Sequence, residues 1–406
     1  MTPKKIRNPF RPGRGATPPY LAGRENEQGR IREILADMAD GDSPAADIVM
    51  YGPRGMGKTV LLNWVGGEVE KTSKHNLPLR AIQTTPTIFP SLELLWNKLI
   101  SDDWKKKIWP EQIELGALGN KIVWNSKAHN EDDLVSVLIE ECKERPLVLL
   151  MDEAHTMDSR FCQDLLNISQ QVNQNAPFLL VLAGTPGLSH LLTTVGASFV
   201  ERSEKMGIAR LDAQATADAI VKPLDADGVT VDTDALEHVV EDSQHYPYFI
   251  QLWGAALWDL AKEKELQKLT AQETAEVETK VESRRLNFYE QRRATLDELE
   301  LLPAAVAIAA LFQDTETTTR DYLKEIIADN LPADSLATQS VNEHLQTFIR
   351  HEFIWNPPDS ILFEAGIPSL MRYVLDKQRE HVQERSSKPN QEIPAKNGNS
   401  DLDLGP

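Results

Sequence analysis

Cysteine is nearly missing from this sequence: Cys142 and Cys162 are the only two thiols among 406 residues. A disulfide framework is thereby excluded. Neither cysteine has the Cys or His companions of a zinc site, so both read as core thiols of a protein from a reducing compartment. Long apolar runs are missing too. No stretch of about 18 apolar residues occurs, which argues against a membrane-spanning helix, so a soluble cytoplasmic protein without membrane contact is expected. Basic charge is the third shortage: 43 Lys and Arg stand against 62 Asp and Glu, a formal net charge of -19. That surplus repels a phosphate backbone unless positive charge gathers locally, so nucleic acid is not the default partner. What remains is ordinary globular composition, 41% hydrophobic and 26% charged, in a chain long enough for two or three domains.

Positive charge does gather at the start. Residues 1–20 carry Lys4, Lys5, Arg7, Arg11 and Arg14 without one acid, among prolines and glycines that forbid regular structure. They read as a basic, proline-rich arm. Ile31, Ile34, Leu35 and Met38 recur at helical spacing and predict a helix over 24–38. Strands are expected at Ala46–Tyr51, Leu79–Thr84, Leu147–Met151, Phe178–Ala183 and Ile208–Leu211. The third is a continuous apolar run, which suits a parallel strand covered on both faces. Strands alternating with helices imply an α/β core with a parallel sheet over residues 21–212. Helical segments near 213–224, 233–243, 247–262 and 268–290 predict a lid and connecting helix over 213–295. Residues 296–377 order an apolar helix, two amphipathic helices and the short pair Phe353–Trp355 and Ile361–Glu364 as a winged-helix-like domain would. Residues 378–406 are polar and read as a disordered tail.

Between the first strand and its helix lies Gly52-Pro53-Arg54-Gly55-Met56-Gly57-Lys58-Thr59, the pattern G-x-x-x-x-G-K-[ST]. An exposed turn can spell this by chance, but here the motif stands in the strand-loop-helix context it requires. Its glycines let backbone N–H groups wrap phosphate oxygens at a helix N-terminus. Lys58 would reach the β- and γ-phosphates, and Thr59 would offer a hydroxyl to Mg2+. The second motif, Leu147 to Glu153 (LVLLMDE), delivers two carboxylates at the end of a buried strand, where ligands of parallel sheets bind. Asp152 would hold Mg2+, and Glu153 would orient or deprotonate an attacking water.

GPRGMGKT, LVLLMDE and the later LAGTPGL resemble the Walker A, Walker B and sensor 1 segments of AAA+ ATPases, a resemblance that spans residues 17–262. It implies ATP and Mg2+ as ligands. Pro18 to Glu25 (PPYLAGRE) resembles the segment that contacts adenine in origin-recognition-type ATPases, which implies Pro19, Tyr20 and Leu21 at the base. The resemblance also implies Thr185 as sensor 1 and Arg202 as an arginine finger offered to a neighbouring subunit, with Arg210 the weaker candidate. The segment His245 to Gln251 lacks the sensor 2 arginine. It is similar to the proline-containing lid motif of STAND-type and archaeal-type ATPases, which places Pro247 against the nucleotide. Lys58 and Asp152 stand 94 positions apart, farther than the family pattern, and the insert contains Trp96, Trp104, Trp109 and Trp124, read as core or interface packing.

Asp152-Glu153-Ala154-His155 also spells a DEAH helicase box, but the remaining chain offers no second nucleotide-clasping domain, so His155 reads as structural. The expected function is an ATP-binding, ATP-hydrolysing switch that forms homo-oligomers and acts on a protein partner or on its own assembly. Residues 296–377 hold five Lys or Arg against fourteen Asp or Glu, which disfavours DNA there. A DNA-binding ATPase of replication-initiation or transposition type is the alternative, with DNA contact confined to the basic arm. A P-loop kinase of small-molecule metabolism ranks third, because no acceptor-binding motif accompanies the phosphate loop.

Overall fold

The apolar run that reads as a doubly covered strand organises the core. In the computed structural model, which describes residues 7–72, 77–101, 131–357 and 360–387, that run is β3 (Leu147–Met151), buried at every position. It joins β1 (Ile48–Tyr51), β2 (Arg80–Thr84), β4 (Phe178–Gly184) and β5 (Glu204–Gly207) in a sheet ordered β2-β3-β4-β1-β5. All pairings are parallel. Alternate side chains divide between two cores, which is why the strands need apolar residues at every position. Val148, Leu150, Leu179, Val181, Ile48 and Met50 face α1 (Glu25–Ala39) and α2 (Lys58–Thr72). Leu147, Leu149, Phe178, Leu180 and Val49 face α3 (Leu92–Leu99), α4 (Glu131–Glu144), α5 (Ser159–Asn173) and α6 (Gly187–Arg202). At about 1.5–3 kcal/mol for each buried Val, Leu or Phe, neither face can be left open. Trp96 is part of the second core; Trp104, Trp109 and Trp124 lie outside the described residues. Both cysteines are buried and free, and burial pushes their thiols up to about 12.

The fifth strand differs from expectation. It is Glu204–Gly207 rather than Ile208–Leu211, which follows it without regular secondary structure. β5 pairs only with β1, and an edge strand can keep exposed polar residues such as Lys205. Apolar runs therefore mark it poorly.

The lid comprises α7 (Ala213–Asp225), α8 (Thr233–Asp242), α9 (Pro247–Glu263) and the long α10 (Ala271–Glu298). Two short strands, β6 (Thr230–Val231) and β7 (Lys268–Leu269), pair in parallel between them. The basic arm lies against this lid. Asn8 Nδ2 donates to the Ala255 carbonyl (3.1 Å) and to Asp259 Oδ1 (2.8 Å), and the Arg11 N–H donates to Gln251 Oε1 (3.0 Å). Phe10 is buried over Gly254, where a Cβ would stand 2.3 Å from its ring. A C-terminal unit follows: α11 (Leu302–Asp314), β8 (Thr317–Thr318), α12 (Arg320–Asn330), α13 (Ala333–Thr338), α14 (Val341–Arg350), β9 (Ile354–Trp355), β10 (Phe363–Ala365) and α15 (Pro368–Ser387). Its antiparallel sheet runs β8-β10-β9. Helix α15 continues through residues 378–387, which read as disordered tail. The spaced pairs Lys377–Glu380 (2.8 Å) and Arg379–Asp376 (3.2 Å) support it where burial does not.

Asp47, just before β1, ties the sheet together. Its Oδ1 accepts from the Leu180 N–H (2.8 Å), its Oδ2 from the Ser169 hydroxyl (2.6 Å), and its carbonyl from the Glu204 N–H (2.8 Å). Burial pushes the carboxyl up from 3.8 to about 6. The folded chain thus holds this proton more tightly than the unfolded chain. The group's contribution to stability is full below the unfolded value and is lost as pH rises through about 6. Asp47→Asn keeps an acceptor for Leu180 and cannot ionise. Its stability relative to the parent should therefore rise by about 3 kcal/mol between roughly pH 4 and pH 7 in urea melts. A difference that stays constant over that range would return Asp47 to an ordinary carboxyl.

Candidate nucleotide-binding site

Beyond Tyr51 the chain turns sharply, and the turn has no room for side chains at Gly52 and Gly55. A Cβ on Gly52 would stand 2.2 Å from the Ile208 carbonyl oxygen. Gly55 and Gly57 adopt φ of 84° and 94°, values that only glycine takes readily. Lys58 opens α2 and is buried, its Nζ donating to the carbonyls of Gly52 (2.7 Å) and Pro53 (2.9 Å). Burial lowers the pKa of this ammonium, opposed by the charges of Glu352, Glu153 and Asp152. The buried Arg24 guanidinium braces the loop from below, with Nη2 donating to the carbonyls of Ala209 (2.5 Å) and Met56 (3.3 Å).

The two motifs meet through one contact. Thr59 Oγ1 donates to Asp152 Oδ2 at 2.7 Å, and the other carboxylate oxygen accepts from the Glu153 N–H at 2.9 Å. These hard oxygens suit Mg2+, which takes one or two protein ligands and completes its shell with phosphate and water. Among the described residues no three His, Cys, Asp or Glu side chains gather as a self-sufficient metal cage. Glu153 has a left-handed φ of 53° and lines the cleft. Its Oε2 stands 3.6 Å from His155 Nε2, while His155 Nδ1 accepts from the Thr185 N–H at 3.4 Å. Burial lowers the His155 pKa, which favours the neutral ring that this acceptor role needs. Thr185 directly follows β4, which lies between the strands that carry the two motifs. Its hydroxyl is buried with no hydrogen-bond partner among the described residues.

Arm, core and lid enclose a cleft of about 240 Å3. Arg54, Gly55, Met56, Gly57, Lys58 and Thr59 line it with Glu153, Tyr20, Leu21 and Pro247. Gly52, Pro53 and Asp152 lie behind that lining, and Pro18 rather than Pro19 reaches the wall. The Lys222 ammonium sits 3.7 Å from the centre of the Tyr20 ring. Tyr248 N–H donates to the Gly55 carbonyl (3.1 Å), and the fully buried Tyr246 hydroxyl donates to the Arg54 carbonyl. Arg202 is not brought to this cleft. It ends α6, just before the start of β5, at the sheet end remote from the phosphate loop, and its Nη2 donates to Gln170 Oε1 at 2.9 Å. Arg210 pairs with Glu364 of the C-terminal unit at 3.6 Å.

Three participants were not singled out from sequence. The arm residues Arg11, Pro12, Gly13, Gly15 and Ala16 wall the cleft; only their proximity to the Tyr20 segment hinted at it. Arg24 braces the loop through backbone carbonyls, for which no side-chain pattern exists. Glu352 reaches the loop from the turn after α14: its Oε2 accepts from the Arg54 N–H at 2.7 Å, and its Oε1 lies 3.4 Å from Arg54 Nε. Arg292 Nη2 is 3.8 Å from the same carboxylate. Burial raises the Glu352 pKa, opposed by Lys58, the Arg54 N–H and Arg292. Lys58→Ala should lower the affinity of the site for MgATP by about thirtyfold or more, the worth of charge-assisted bonds to phosphate. Titration calorimetry reads this directly, and unchanged binding would remove Lys58 from the site.

With this geometry in place, comparison with known proteins is specific about fold. Residues 43–192 match the family model of the AAA domain. An HTH-type transcriptional regulator of Methanocaldococcus jannaschii is 28% identical over 216 residues, 49% of this chain; the chain spans about half that relative's length (52%). The Aeropyrum pernix ORC2 protein, solved in ADPNP-ADP complexes, superposes on 93% of this chain and 100% of its own with a TM-score of 0.58 and 15% identity. A Walker-type ATPase of Pyrococcus abyssi superposes on 88% of this chain and 96% of its own, with a TM-score of 0.50 and 16% identity. A phosphate loop after the first strand, a carboxylate pair after the third and this family match together make residues 43–192 an AAA domain, set in a P-loop NTPase fold that superposes on that of the Aeropyrum pernix ORC2 protein.

Proposed function

We propose that the protein is an ATP-driven switch that hydrolyses MgATP between copies of itself and passes the resulting state to a protein partner. The observation that carries this reading is the 2.7 Å contact of Thr59 with Asp152, which joins the phosphate loop to the carboxylate strand. Loop amides and Lys58 would hold the β- and γ-phosphates. Mg2+, held by Thr59 and Asp152, would neutralise phosphate charge. Glu153 orients and deprotonates the attacking water, with His155 placed to steady its carboxylate and the free Thr185 hydroxyl available to the water or the γ-phosphate. Pro18, Tyr20, Leu21 and Pro247 would enclose the base.

Arg202 stands too far from its own loop to serve it, so its role as a finger requires a neighbour's nucleotide. We read residues 296–377 as a winged-helix-like module for protein contact. The outward residues of α14 are Asn342, Glu343 and Arg350, a face with little to offer a phosphate backbone. The DNA-binding alternative draws on the printed description of the M. jannaschii relative as HTH-type and on Arg7, Arg11 and Arg14, which stay exposed on the docked arm.

Mass by light scattering and ATPase rate, measured together with and without ATP and duplex DNA, separate these readings. The protein-directed switch predicts ATP-dependent assembly and a rate indifferent to DNA. Glu153→Gln should keep nucleotide binding while slowing hydrolysis about a hundredfold or more. A parental rate would remove Glu153 from the mechanism. Arg202→Ala should bind ATP normally and lose turnover, yet recover activity when mixed with Glu153→Gln, because mixed assemblies contain an interface with both residues intact. A monomer that hydrolyses ATP at every concentration, with Arg202→Ala fully active, would sink the finger and the assembly alike.

A further inference from the structure

The phosphate loop already touches an anion supplied by the chain itself. Glu352 is only 3% exposed, and it spends its carboxylate on a backbone N–H inside the nucleotide motif. Phosphate loops offer such N–H groups to phosphate oxygens. The cations around it, Lys58, Arg54 and Arg292, are the kind a nucleotide's terminal phosphate seeks. Arg292 is held ready on α10: its Nη1 donates to the Phe288 carbonyl at 3.3 Å, and its guanidinium lies 3.6 Å from the centre of the Phe288 ring.

The backbone that carries this carboxylate is fixed within the C-terminal unit. Glu352 has φ +60°, the left-handed conformation that closes the C-terminus of α14. The turn around it is locked by Glu352 N–H to the Ile349 carbonyl (3.0 Å), Phe353 N–H to the Phe348 carbonyl (3.0 Å) and Gly366 N–H to the Phe353 carbonyl (2.9 Å). Gly366 packs so closely that a Cβ there would stand 1.9 Å from the Glu352 carbonyl oxygen. The turn therefore moves with the C-terminal unit or does not move.

We propose that Glu352 is an internal rival of the γ-phosphate: a triphosphate must expel its carboxylate from the loop, and with it the C-terminal unit, whereas a diphosphate leaves it seated. This rests on the nucleotide reading of the cleft. Two anions cannot share one N–H and one set of cations in a poorly solvated pocket without strong repulsion. Expulsion also frees Arg292 to face the terminal phosphate, in a lid whose motif carries no arginine of its own. Glu352 is thus a specificity-determining residue: it sets the preference between di- and triphosphate and couples that choice to the position of the C-terminal unit.

Calorimetry of the full chain with ADP and with a non-hydrolysable ATP analogue, for the parent and for Glu352→Gln, tests the proposal. The amide keeps shape and an acceptor for the Arg54 N–H but removes the charge. Affinity for the analogue should rise about tenfold or more, with ADP affinity changed much less. Hydrogen–deuterium exchange of the parent needs no variant: amides of residues 346–356 should exchange faster with the analogue than with ADP. An unchanged ratio of affinities, or equal exchange with both nucleotides where the variant does not fold, overturns the rivalry while leaving nucleotide binding intact. A parent that binds neither nucleotide overturns both readings.

Discussion

A parallel sheet covered on both faces leaves its strand ends as the only place where chemistry can be exposed, and all the ends of one polarity fall on one edge. Because β1 lies beside β4, and β4 beside β3, the phosphate loop, the buried Thr185 hydroxyl and the Asp152-Glu153 pair come out side by side. Their registers are fixed by packing: slipping any strand by one residue would exchange its two sets of apolar side chains between cores. The 2.7 Å bond from Thr59 to Asp152 follows from that register.

Upon this base the rest of the chain closes around three consecutive residues. The Arg54 N–H is held by Glu352, the Arg54 carbonyl by Tyr246, the Gly55 carbonyl by the Tyr248 N–H and the Met56 carbonyl by Arg24. These four partners belong to the C-terminal unit, the lid twice and the segment leading into α1. A shift of the loop by a fraction of an ångström therefore disturbs contacts in three parts of the molecule at once. The arm adds a fourth, docked by Phe10 into a gap that exists because position 254 is glycine.

What was legible in the sequence was what is contiguous in it. GPRGMGKT and LVLLMDE each compress a strand end and its chemistry into eight or fewer residues, and unbroken apolar runs betray strands buried on both sides. β5 escaped because an edge strand needs cover on fewer sides and can be written Glu-Lys-Met-Gly. Pro19 was expected at the cleft where Pro18 lines it, a one-residue step in irregular chain that no sequence pattern marks. Glu352 and Arg54 are 298 positions apart, and a single carboxylate in an acidic region has no periodicity or spacing to mark it. Helix α15 beyond residue 377 is sustained by spaced ion pairs, a pattern that polar composition hides.

The placement of Arg202 at one end of the sheet and of the phosphate loop at the other carries a consequence for symmetry. If that arginine serves a neighbour's nucleotide, the two surfaces that meet are different patches. The contact is then heterologous, and repetition of it winds copies head to tail. A two-fold dimer would complete its sites only if one self-complementary surface carried both the arginine and the mouth of the cleft. An open chain of n copies would always contain one nucleotide without a finger and one finger without a nucleotide, and only closure into a ring would remove that unfinished pair.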